Sequence, residues 1–143
     1  KSKEIFQKII LEYPKTDFAI DAKFKIDYIN DIAASKEIYV GRHYVKKEKW
    51  IAAINRFKNV LENYDTTIYV EEAIHRLVEI HYRIGLIDES TKYAKLLGYN
   101  YGSSEWYKES YAIFNKEYDK MEKNEKGKKP KKGIIKTFKK LFE

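Results

Sequence analysis

The segment FQKIILEYPKTDFAIDA, residues 6–22, recurs in outline as FKNVLENYDTTIYVEEA at residues 57–73. A weaker third copy, YGSSEWYKES, occupies residues 101–110. Each copy has the pattern of an amphipathic helix that ends, a tight turn, and the capped start of another helix. A chain that repeats this unit stacks helix pairs, and such arrays usually hold partner proteins rather than catalyse reactions. The repeat therefore predicts an all-α solenoid.

Hydrophobic periodicity places the individual helices. Residues 1–13 form an amphipathic stretch that Pro14 stops, and Thr16 is positioned to cap the next helix. That helix is predicted to continue to about Lys46, since its apolar residues keep helical spacing without a proline. Its buried face is predicted to contain Phe18, Ala22, Ile26, Ile29, Ala33, Val40 and Tyr44. Further helices are predicted at residues 50–63, from a Thr66 or Thr67 cap to residue 84, at residues 88–98, and from a Ser103 or Ser104 cap onward.

The spacing matches the tetratricopeptide (TPR) unit of about 34 residues, which contributes two helices. Its characteristic positions are occupied here by Gly41, Tyr44, Ala53, Phe57, Val60 and, where proline is usual, Asp65. The interval from Pro14 to Asp65 is longer than one unit, and its extra residues keep helical periodicity. We therefore predict an all-α TPR helix-pair solenoid with one elongated helix.

The net charge of +7 is concentrated at one end of the chain. Residues 1–118 are nearly neutral, whereas lysines far outnumber acidic residues in 119–143. We therefore predict two parts, the C-terminal TPR repeats of a longer protein at 1–118 and a basic Lys-rich tail at 119–143. Within the tail, residues 134–142 have the pattern of a short amphipathic helix that lies on anionic lipid or fills a partner's groove. A disordered, solvated tail is the alternative, because isolated helices of this length are marginal in water.

The amino-acid composition and the first residues of the sequence narrow the class of protein further. The sequence has no cysteine and no apolar run of about 18 residues, so it predicts neither a disulfide nor a membrane-spanning helix. It begins with lysine rather than methionine, and no signal peptide is visible. The sequence is therefore expected to be a fragment or a processed form that lacks any targeting or lipid-anchoring segment.

Catalytic and metal-binding patterns have no support in the sequence. No serine lies in a nucleophile-elbow motif, and there is no Gly-rich phosphate loop. Glu72 and His75 have the Glu-x-x-His spacing of di-iron bundles, but such a site needs a second copy. The pairs Glu71–His75 and His75–Glu79 are instead predicted to be surface ion pairs one turn apart. No metal, no other cofactor and no enzymatic activity are expected.

Four segments resemble the BamD family, the TPR lipoproteins of the bacterial outer-membrane β-barrel assembly machinery, or BAM complex. These segments are YPKTDFAIDA at 13–22, VGRHY at 40–44, WIAAINRF at 50–57 and VEEA at 70–73. The elongated helix before residue 50 is similar to the family too. The resemblance covers about residues 1–118, which correspond to the family's C-terminal repeats, and does not extend to the Lys-rich tail.

The resemblance implies a non-enzymatic scaffold at the periplasmic face of the outer membrane, lipid-anchored in the full-length protein. In the family, the C-terminal repeats dock the membrane-proximal POTRA domain of the barrel subunit, and the N-terminal repeats are implicated in handling clients. The implied partners are the POTRA domain, other BAM lipoproteins, unfolded outer-membrane protein clients, and the outer membrane through an anchor absent from this sequence. Nucleic acid is not among them.

The same resemblance implies a docking surface around Arg56. The family's corresponding Asn-Arg position lies at the docking surface, so an interface ion pair is expected there, with a solvated arginine as the alternative. The planar guanidinium is suited to this role because it can hold a carboxylate through two hydrogen bonds. Tyr39 and Arg42, near the turn that leads to Trp50, would extend the surface, although Tyr39 could instead pack against the next helix. The predicted partner-binding residues are Arg56, Lys49, Asn59, Asn63, Arg42 and Tyr39.

Two other functions remain open from the sequence alone. One is a different periplasmic TPR protein that coordinates cell-envelope processes. Such proteins share the Tyr-Pro-x-Thr turn but lack the long helix and the WIAAINR segment. The other is a basic membrane-surface or RNA-binding protein that acts through residues 120–142.

Overall fold

The computed structural model describes the backbone of residues 1–124 and the side chains through residue 115. Within this range the chain is all-helical, which confirms the predicted fold class. The helices are α1 (Ser2–Glu12), α2 (Asp17–Lys46), α3 (Trp50–Asn63), α4 (Val70–Arg83), α5 (Ile87–Tyr101) and α6 (Glu105–Asn124). The chain forms two compact units, the first from Lys1 to Ala73 and the second from Ile74 onward.

The elongated helix α2 has 30 residues and is the longest element of the first unit. Thr16 caps it as predicted, because its Oγ1 accepts a hydrogen bond from the backbone N–H of Ala19 at 3.3 Å. The Thr16 hydroxyl donates to the carbonyl oxygen of Tyr13 at 2.7 Å, which fixes the turn after α1. At 1.5 Å per residue, α2 is about 45 Å long, so α1 and α3 both pack along it.

The predicted buried face of α2 is confirmed at Ala22, and its other predicted residues are half-buried apart from Phe18. Phe18, which the periodicity placed toward the core, is 76% exposed. The residues of α2 that are buried are mostly small, namely Ala19, Ala22, Ala34, Ile38 and Gly41. Small side chains let a neighbouring helix approach closely, and α3 contributes Ala53, Ile54, Phe57 and Val60 to the core.

Gly41 of α2 faces the buried ring of Phe57 of α3. A Cβ atom at position 41 would lie 2.6 Å from Cε1 of the fully buried Phe57 ring. This distance is well inside van der Waals contact, so Gly41 is required by the position of the ring.

Replacing Gly41 by alanine should therefore destabilise the protein by about 1–2 kcal/mol, although alanine is the better helix former. Urea denaturation followed by circular dichroism would measure the change. Phe57→Leu replaces the ring by a shorter side chain. In that background the cost of Gly41→Ala should therefore fall. An equal cost in both backgrounds would show that the ring is not its cause.

The turn between α2 and α3 contains a residue in the left-handed conformation. Glu48 has φ 55°, a region that costs a residue with a Cβ about 1 kcal/mol. Since glycine adopts this region freely, Glu48→Gly should raise the free energy of unfolding by about 0.5–1 kcal/mol. A thermal melt of the variant would show this as a higher midpoint. The control substitution at the same position, Glu48→Ala, should give no comparable gain, because alanine retains the Cβ.

In the second unit, α4, α5 and α6 contribute to one apolar cluster. Val78, Ala94 and Phe114 are its buried members, with Tyr82, Tyr93 and Ile113 packed around them. The hydroxyl of Ser90 donates to the carbonyl oxygen of Val78 at 2.9 Å, which links α5 to α4 inside this unit.

The helix ends agree with the sequence at two positions and differ at a third. Gly85 follows α4 with φ 84°, as predicted for a C-terminal glycine. Ser104 caps α6, since its Oγ accepts from the backbone N–H of Tyr107 at 3.1 Å. However, α4 begins at Val70, later than a threonine cap predicts, and the Thr67 hydroxyl instead donates to the Tyr64 carbonyl.

The predicted tail is described only at its start. Helix α6 continues to Asn124, and the predicted amphipathic segment at 134–142 lies outside the described residues. In the part of the chain that is described, every helix is too short or too polar to cross a membrane.

Candidate partner-binding site

A polar cleft of about 490 Å³ lies between α2 and α3 in the first unit. Its lining residues are Glu37, Tyr44, Ala52, Asn55, Arg56, Lys58, Asn59 and Glu62. All of them except Ala52 carry a polar or charged side chain. Small-molecule pockets are mostly apolar and enclose their ligand. This open, charged cleft is therefore better suited to binding the surface of another protein.

An ion pair between the two helices lies in this cleft. Nη1 of Arg56 donates to the two carboxylate oxygens of Glu37, at 3.4 and 3.2 Å. The Glu37 side chain is 15% exposed, whereas that of Arg56 is 44% exposed. The hydrogen bond and the charge of Glu37 raise the pKa of Arg56, and Tyr44 adds to this effect. Arg56 therefore carries its positive charge at any physiological pH.

The Arg56 guanidinium is only partly used. Both of its hydrogen bonds to Glu37 start from Nη1, so Glu37 leaves Nε and Nη2 unused, and Tyr44 also interacts with the guanidinium. These two nitrogens form the edge of a guanidinium that can hold a carboxylate through two parallel hydrogen bonds. Arg56 thus combines a fixed position, partial exposure and an edge able to bind a carboxylate.

Arg42 forms its ion pair through the nitrogens that Arg56 does not use toward Glu37. Its Nε donates to Glu72 at 2.7 Å and its Nη2 donates to the other oxygen of that carboxylate at 2.5 Å. The Glu72 side chain is only 6% exposed, so this pair connects α2 to a buried carboxylate at the start of α4. The Nε–Nη2 edge of Arg42 is therefore occupied within the chain, and Arg42 does not line the cleft.

The other predicted residues are distributed over the first unit. Asn59 lines the cleft, and Asn63 donates to it from the next turn of α3 at 2.5 Å. Lys49 precedes α3 as its N-cap residue, and Tyr39 is exposed on α2. Neither lines the cleft. The structure thus brings Arg56, Asn59 and Asn63 together, while a partner-binding role for all six residues stays a prediction.

Sequence reasoning did not select four of the charged or aromatic residues that line the cleft, Glu37, Tyr44, Lys58 and Glu62. Tyr44 is on the predicted apolar face of α2, and Glu37 is not among the residues of that face. The two are seven residues apart, which places them on the same side of a helix two turns from each other. That spacing was the available signal, but it does not identify Arg56 as the residue they approach.

The sequence prediction for His75 was wrong in one respect. His75 is buried, at 2% exposure, and not on the surface. Its Nδ1 lies 2.8 Å from the Ser110 hydroxyl, and its Nε2 lies 3.6 Å from both Glu79 and Glu109. The surface interpretation failed because α6 packs over this side of α4 within the second unit. Among the described residues, no cluster of three or more histidine, cysteine or acidic side chains is arranged to hold a metal.

Comparison with known proteins identifies the family. The model of the YfiO family, described as an outer membrane lipoprotein, matches residues 1–96. The chain belongs to the YfiO family.

Three relatives that bear the name outer membrane protein assembly factor BamD are also similar to this chain. The outer membrane protein assembly factor BamD of Rickettsia prowazekii is 48% identical over 112 residues, which are 78% of this chain and 45% of the relative. BamD of Caulobacter vibrioides is 43% identical over 107 residues, 75% of this chain and 35% of the relative. BamD of Neisseria gonorrhoeae is 31% identical over 80 residues, 56% of this chain and 30% of the relative.

These relatives confirm the predicted BamD resemblance and its non-enzymatic class, since they are named as assembly factors and not as enzymes. The chain spans less than half the length of each of them.

Proposed function

We propose that this chain belongs to a scaffold subunit of the machinery that assembles β-barrel proteins in the outer membrane. Membership of the YfiO family supports this role, as do the relatives named outer membrane protein assembly factors. The chain acts at the periplasmic face of the outer membrane, in a full-length protein that carries a lipid anchor. It promotes insertion of β-barrel proteins by holding other subunits and not by chemistry.

The cleft between α2 and α3 docks the periplasmic POTRA region of the barrel subunit. One observation carries this proposal, the half-exposed Arg56 inside a polar cleft, whose Nε–Nη2 edge Glu37 leaves unused. A carboxylate on the partner would bind this edge through two hydrogen bonds. Asn59 and Asn63 lie on the same side of α3 and supply further polar groups beside it. Other BAM lipoproteins and unfolded client chains are partners of the same scaffold.

Titration of the chain with the POTRA domains of its own barrel subunit tests this proposal. We expect saturable binding that weakens as salt rises, because an exposed charge pair is screened by ions. Circular dichroism of the same sample would establish that the chain is folded. A folded chain that does not bind the POTRA domains would contradict the docking proposal.

A further inference from the structure

The Glu37 side chain is more buried than the Arg56 side chain that it binds. It lies within the 30-residue helix α2, and its side chain is 15% exposed. Arg56 has a long side chain with many rotamers and is 44% exposed. Its contact with both Glu37 oxygens through one nitrogen restricts those rotamers. Glu37 is therefore placed to restrain the guanidinium, beside the interaction that Tyr44 makes with it.

We infer that Glu37 is a positioning residue, which holds Arg56 end-on through Nη1 so that its Nε–Nη2 edge is presented to a carboxylate of the docking partner. The chain contains a comparison for this geometry. Glu72 takes the Nε–Nη2 edge of Arg42 and leaves no such edge to a partner, whereas Glu37 takes only Nη1 of Arg56. The identity of the partner rests on the proposed function, but the restraint on Arg56 does not.

Electrostatics and positioning predict opposite changes in partner affinity when the charge of Glu37 is removed. Its negative charge repels an incoming carboxylate, so by charge alone Glu37→Gln should strengthen binding. If Glu37 positions Arg56, the same change should weaken binding, because a mobile arginine must be ordered when the partner docks. The direction of the change therefore distinguishes the two effects.

The restraint can be measured in the free chain by nitrogen-15 NMR of arginine side chains. In the wild type we expect slow rotation about the Nε–Cζ bond of Arg56, with resolved signals for its two terminal nitrogens. Glu37→Gln should make this rotation fast and merge the signals. Glu62→Gln is the matched control, since it removes the same charge from the cleft lining without touching a bonded partner of Arg56. Unchanged rotation in Glu37→Gln would overturn the inference.

Binding to the POTRA domains of the barrel subunit gives the second readout. Glu37→Gln should weaken it about three- to tenfold, the cost of ordering one long side chain. Glu62→Gln should bind as tightly as the wild type or tighter. In an Arg56→Lys background, which has no two-nitrogen edge to present, Glu37→Gln should cause no further weakening.

Equal or tighter binding by Glu37→Gln would overturn the positioning role. Lack of binding by the wild-type chain would instead contradict the proposed function, and the NMR comparison would still decide whether Glu37 restrains Arg56.

Discussion

Replacing Arg42 by leucine should lower the free energy of unfolding by about 2–3 kcal/mol. The substitution removes two hydrogen bonds to the Glu72 carboxylate, whose side chain is 6% exposed. A carboxylate with so little access to water cannot replace these two bonds by hydration, so less of its desolvation is offset. The value is below that of a fully buried pair because Arg42 itself is 49% exposed. Urea denaturation of the complete chain, followed by circular dichroism, measures the loss.

An exposed ion pair on the same helix provides the control. Lys25 and Asp21 are 2.6 Å apart, and both are largely exposed to solvent. Asp21→Asn should therefore change stability by less than about 0.5 kcal/mol. The double variant Arg42→Leu/Glu72→Gln should recover part of the loss, since it no longer buries a charge. If Arg42→Leu cost no more than Asp21→Asn, the pair with Glu72 would have no structural role.

The helix order could be predicted because its signals are local. Pro14 ends α1, Thr16 caps α2, and Gly85 follows α4, and each of these effects depends on a few adjacent residues. The length of α2 followed from unbroken periodicity. The buried face of α2 was harder, because that helix packs against both α1 and α3. Periodicity favours large apolar residues such as Phe18, whereas close packing selected alanine and glycine.

The site could be predicted only in part. Arg56 was selected through the family resemblance, but its partner Glu37 was not, because the two residues are far apart in sequence and meet only when α2 and α3 pack. Arg42 and Arg56 also look alike in the sequence, as each lies on the polar side of a helix. Their different hydrogen bonds separate them, since Glu72 occupies the Nε–Nη2 edge of Arg42 whereas Glu37 binds only Nη1 of Arg56. Such contacts depend on tertiary structure.

The largest effect on partner binding should come from Arg56→Glu. It removes the two-nitrogen edge and places a negative charge where a partner carboxylate would dock, so POTRA binding should weaken by about tenfold or more. Most of the change should appear as faster dissociation, because the lost contact is short-ranged. Surface plasmon resonance with the POTRA domains immobilised would measure both rates, at low and at high salt.

Two variants separate recognition by Arg56 from general electrostatics and from disruption of the cleft. Lys58→Glu makes the same charge reversal on the cleft lining, so it should slow association but affect dissociation much less. Arg56→Gln avoids placing a second carboxylate against Glu37 and should still lose most of the affinity. If Lys58→Glu and Arg56→Glu weakened binding equally, the cleft would attract its partner by net charge alone. If neither changed binding, docking would have to occur on another surface of the chain.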